Sequence, residues 1–143
     1  DAAVFASLQG LALQGLMLVV ADHANGLFAV ELATGNVSAL PPPKHVTLLG
    51  LDGLVATPDG LLATQNGVQP ARVLRIALTP AADAVTAVTV LASGQPELDD
   101  LSLLTMIDGR PGVVAGSGWE AFDPAKTPHP APHPVRLLQI VEP

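Results

Sequence analysis

The sequence predicts an all-β fold, about three four-stranded blades of a β-propeller. Three observations carry that reading: an internal repeat, a period-two apolar pattern, and regular punctuation by glycine and proline. The repeat begins with Gln9-Gly10-Leu11-Ala12-Leu13 and returns 43 positions later as Asp52-Gly53-Leu54-Val55-Ala56. A third copy, Asp99-Asp100-Leu101-Ser102-Leu103, follows after another 47. Short strands in units of roughly 40 to 50 residues are the mark of propeller blades. The 13 glycines and 14 prolines fall mainly between the apolar runs, where glycine supplies positive φ and proline withholds a ladder donor, so little room is left for helices.

Each unit can be read strand by strand. The first spans 1–43 and continues with an apolar run from Leu16 to Ala21, an alternating run from Leu27 to Leu32, and Val37 to Leu40. The second, 44–94, repeats this order with Leu61 to Thr64, Val73 to Leu78 and Val88 to Leu91. The third, 95–143, offers Val113 to Ala115 and Leu137 to Val141, with no evident closing strand. Period-two register then places Leu18, Val20, Phe28, Val30, Leu54, Leu62, Leu74, Ile76, Val114 and Leu138 between blades. Three blades are too few for a ring of four to eight. The remaining blades are expected upstream of residue 1, making this chain the C-terminal half of a six-bladed ring, or in a partner chain pairing with an open edge.

Composition removes several functions. A net charge of −7 with only six Lys and Arg offers no basic stripe for a phosphate backbone, which argues against nucleic acid as a partner. The longest apolar run, Leu16 to Ala21, is far short of the ~20 residues that span a bilayer. With no cysteine, disulfides, thiolate catalysis and cysteine-type zinc sites are excluded, while the compartment stays open.

Two stretches carry a family resemblance. Val20 to Gly35, reading VADHANGLFAVELATG, has the form of a strand, turn and following strand. Leu51-Asp52-Gly53-Leu54 with Pro58-Asp59-Gly60-Leu61-Leu62-Ala63 has the form of an Asp-Gly-apolar signature, a loop and a strand. Together they resemble the gluconolactonase, regucalcin (senescence marker protein) and paraoxonase group of six-bladed, calcium-dependent propellers, above all its bacterial secreted members. The resemblance runs from about Leu8 to Trp119. It implies a calcium-dependent hydrolase of a lactone or related ester in the periplasm or outside the cell. It also implies that Asp52 is a metal ligand, that Gln9 stands where the family has an Asn ligand, and that a further acidic ligand lies upstream of residue 1.

The repeat points to the same residues by geometry. Gln9, Asp52 and Asp99 each precede the first strand of a unit, and that strand lines a propeller's channel, so their side-chain oxygens are expected to converge. Such oxygens suit calcium, which takes six to eight at about 2.3–2.6 Å. The alternative for Asp52 and Asp99 is an Asx-turn with no metal. Gln65, Asn66 and Trp119 are expected at the pocket rim, although strand-end capping and packing explain them as well. Proline prevents His129 and His133 from sharing a helical face, which leaves a stiff connector. Asp22 and His23, adjacent on a strand, point to opposite faces. Gly116-Ser117-Gly118 lacks the strand-turn-helix setting of a nucleophile elbow. Two functions remain open: a calcium-dependent lactonase or esterase, and a non-catalytic propeller that binds a small ligand or a protein partner.

Overall fold

The computed structural model describes residues 5–125, 128, 131 and 134–140, and all of its regular structure apart from two 3-10 turns is antiparallel β. The first sheet is a meander of β1 (Leu8–Gln14), β2 (Met17–Asp22), β3 (Gly26–Glu31) and β4 (Val37–Ala39). The second repeats it with β5 (Leu51–Thr57), β6 (Gly60–Gln65), β7 (Arg72–Leu78) and β8 (Val85–Ser93). The third has three strands among the described residues, β9 (Leu104–Ile107), β10 (Arg110–Ala115) and β11 (Arg136–Gln139). The 3-10 turns are Pro96–Leu98 and Trp119–Phe122. His129 and His133 lie outside the described residues.

Local chemistry explains the hairpins. Asp108 and Gly109 both take positive φ, 49° and 77°, between β9 and β10. Two successive positive-φ residues form the mirror-image turn whose twist matches that of the flanking strands. β2 and β6 are the second strands of their sheets, and β6 is buried along its whole length because a sheet covers each of its faces.

The sheets stack in chain order through their first strands, β1 against β5 and β5 against β9. Glycine permits that approach. A Cβ on Gly10 would lie 2.5 Å from Asp52 O, and one on Gly53 would lie 2.5 Å from Leu104 N. Both targets are backbone, so any side chain would force the sheets apart. Thr64, fully buried, also ties the second sheet to the third: its Oγ1 accepts from Gly53 N at 2.8 Å and donates to Ser102 O.

Two apolar layers result. Ala12, Val19 and Leu27 of the first sheet meet Leu54, Leu61, Leu74 and Ile76 of the second. Leu62 and Val73, on the other face of the second sheet, meet Leu98, Leu101, Leu104 and Val113. Of the positions expected between blades, Val20, Phe28, Leu54, Leu62, Leu74 and Ile76 are buried and Leu18, Val30, Val114 and Leu138 are half-buried. Leu18 and Val30 lie on the face of the first sheet that no other sheet covers among the described residues.

The register corrects the third copy of the repeat. Leu11 pairs with Val20, Leu54 with Ala63 and Leu104 with Val113, each pair nine residues apart. Two residues before the first member of each pair stand Gln9, Asp52 and Ser102. The third copy is therefore Ser102-Leu103-Leu104, three residues later than the acidic pair suggests. Asp99 and Asp100 belong to the loop after the 3-10 turn, where Asp100 takes φ 49°. The strand pairing, not the carboxylates, sets the register.

Candidate functional site

A cavity of about 420 Å³ opens at the N-terminal ends of the first strands, lined by Gln9, His23, Asp52, Asn66, Ser102 and Trp119 among others. The first two sheets contribute through the same two positions, and the third through the first of them. Gln9, Asp52 and Ser102 come from the start of the first strand, and His23 and Asn66 come from just past the end of the second. The antiparallel pairing of those two strands is what brings start and end together.

Asn66 organises the cavity. Its Nδ2 lies 2.8 Å from Asp52 Oδ2 and 2.9 Å from Leu101 O, both acceptors, so the amide can take only one orientation. Its Oδ1 then faces His23 Nε2 at 3.2 Å. Nε2 must donate, and in a neutral imidazole Nδ1 is left as the acceptor. The result is a fixed chain from His23 through Asn66 to the carboxylate of Asp52, reaching across the first two sheets to the backbone of the third.

The residues singled out in the sequence divide into three groups. Gln9, Asp52, Asn66 and Trp119 line this cavity. Asp99 does not: it lines a neighbouring cavity of about 650 Å³ together with Asp100, Gln69 and Gln95. The shifted register is the reason, and Ser102 occupies the place expected of Asp99.

Gln65 is not at the rim. It is 0% exposed, with Nε2 donating to Thr47 O at 3.0 Å and Leu49 O at 2.6 Å, and Oε1 accepting from Arg72 Nε at 2.7 Å. Its counterpart in the first sheet is Asp22, also fully buried. Asp22 Oδ2 accepts from Ala6 N and Ser7 N, and its Oδ1 from Ala24 N and Asn25 N. Burial by itself would raise the Asp22 pKa, but the four backbone donors outweigh it and hold the carboxyl below its ordinary value. Both residues clamp the segment that leads into their sheet, one as acceptor and one chiefly as donor. His23 and Ser102 are the site residues that sequence reasoning missed. Adding 43 to His23 gives Asn66, which was the available signal for the first; only the register reveals the second.

The calcium that the resemblance implies would meet a partial set of donors here. Asp52 supplies one carboxylate, and Gln9 and Ser102 supply neutral oxygens, which is the hard-donor chemistry that calcium takes. Asn66 is excluded, because its oxygen is turned to His23. Among the described residues no three His, Cys, Asp or Glu side chains converge, so six to eight ligands would require water or further groups. Ser117 Oγ is buried without a hydrogen-bond partner among the described residues, and Ser117 lines neither cavity. No family model, curated protein or solved structure matches this chain.

Proposed function

We propose that the three stacked sheets are consecutive blades of a gluconolactonase-like β-propeller, and that the cavity at Asp52 is the site at which a lactone or related ester is hydrolysed. One observation carries the reading: equivalent positions of successive sheets, Gln9, Asp52 and Ser102, meet around one cavity, as channel-lining positions of a propeller must. Gln9 and Asp52 would hold calcium, which when bound supplies Lewis-acid polarisation of the carbonyl. The other residues prepare that end of the cavity. Asn66 fixes the Asp52 carboxylate through Oδ2 and leaves the rest of it to the cavity. His23 has its proton held on Nε2 by Asn66, which leaves Nδ1 as its acceptor nitrogen.

The test is calcium titration by calorimetry, with hydrolysis of δ-valerolactone followed in parallel. Asp52→Ala is expected to weaken calcium binding at least tenfold, about the value of one charged ligand, and to abolish hydrolysis. Binding and turnover that survive Asp52→Ala unchanged would remove the reading and leave Asp52 a turn residue.

A further inference from the structure

The 650 Å³ cavity is larger than the one around Asp52, and the two share Asn66 and Trp119 as wall residues. We infer that this second cavity is a binding compartment for a sugar ring carried beyond the reacting group, so that the whole cleft takes an extended, glycosylated ligand rather than one small ring. The inference rests on the neighbouring cavity being the reacting end.

Three observations favour a sugar. The first is Trp119, which is 68% exposed and lines both cavities. Its loop is held by Asp100 Oδ2, which accepts from Gly118 N at 2.6 Å. A bare aromatic face on a held loop suits the C–H face of a pyranose, which is apolar on one side and rimmed by hydroxyls. The second is the set of free polar groups. Gln69, Gln95 and Asp99 line the cavity and make no side-chain hydrogen bond among the described residues. Hydroxyls donate and accept at once, and amides beside a carboxylate answer both needs. The third is charge. Among the described residues no Lys or Arg lines the cavity to compensate a phosphate or carboxylate ligand. A quaternary ammonium would find one aromatic ring where such ligands are usually caged by several.

The chain supplies its own probe. Trp119 is its only tryptophan and there is no tyrosine, so intrinsic fluorescence reads this residue alone. Titrating the full chain with cellobiose is expected to shift and saturate that emission, with glucose binding more weakly. Gln95→Ala and Asp99→Ala should each weaken cellobiose about three- to tenfold, the effect of one lost hydrogen bond. Trp119→Phe, read by calorimetry, should weaken it as well, and circular dichroism confirms that each variant is folded. Three results overturn the inference: no saturable response to either sugar, a response that Gln95→Ala and Asp99→Ala leave unchanged, or a response to choline alone. Binding needs no turnover, so the two readings fail separately. Cellobiose that binds without any δ-valerolactone hydrolysis supports this compartment and removes the hydrolase; hydrolysis without cellobiose binding does the reverse.

Discussion

The first and second sheets present the same apolar positions on the same face, and those positions meet different surroundings. Leu54, Leu61 and Ile76 of the second sheet are 5%, 0% and 0% exposed, because the first sheet covers them. Their counterparts Leu11, Leu18 and Val30 have no sheet above them among the described residues: Leu11 is 58% exposed and the other two are half-buried. The exception is instructive. Val20 and Phe28 on that same face are buried, with Phe5 meeting Phe28 edge to face at a ring separation of 5.3 Å. Phe5 is placed there by the next two residues, whose N–H groups Asp22 binds. A leucine on a strand thus acquires its burial from its neighbour and not from its own pattern. A bare apolar face of this kind is where another sheet fits.

The comparison breaks most visibly at one pair of leucines. Leu54→Ala is expected to cost about 2–5 kcal/mol, the range for a truncated core leucine. Leu11→Ala, at the equivalent place, is expected to stay within about 0.5 kcal/mol. Urea unfolding of the two variants measures both, and equal losses would show that the outer face of the first sheet is covered in solution.

The close approach of the first strands gives the next effect. Gly53→Ala and Gly10→Ala should each cost about 1–3 kcal/mol, the usual range for overpacking, because the added carbon meets backbone that cannot swing aside. A variant as stable as the parent would mean that the sheets are farther apart than described.

Thr64→Val tests the seam between the second and third sheets. It keeps the shape but removes the oxygen that serves Gly53 N and Ser102 O, at about 1–3 kcal/mol for buried groups left unpaired. Hydrogen exchange should quicken at Gly53, the amide that loses its partner. Unchanged protection there would contradict the bridge.

The mildest effect is acid-dependent and concerns Phe5. The Asp22 carboxyl has a lowered folded pKa, so its contribution to stability is complete well above the unfolded carboxylate value of about 3.9. That contribution is lost as pH falls from there through the lower folded value. The urea midpoint should therefore drop in this acid window, and Asp22→Asn should flatten the drop. A parent and variant with parallel pH profiles would show that the clamp does not act through charge.

The sequence alone determined the class of fold and the unit of repetition. Period-two apolar runs broken by glycine and proline admit little but strands, and a repeat of about 43 residues returns the same strand to the same place in the next sheet. Gln9 and Asp52 were legible as equivalent because both precede a glycine that the packing requires. The tertiary structure decided what depends on contacts between sheets. Asp99 looked like the third member because carboxylates are easy to align by eye, but Leu101 and Leu104 must face the second sheet, and that fixed Ser102 in the position instead. Gln65 was expected at the pocket rim and Asp22 on a strand face opposite His23, yet each is fully buried because the incoming segment leaves backbone groups that a side chain there satisfies. A strand pattern states which face of a sheet is apolar; what covers that face, and which polar groups are closed in when it is covered, is set by the neighbouring sheet.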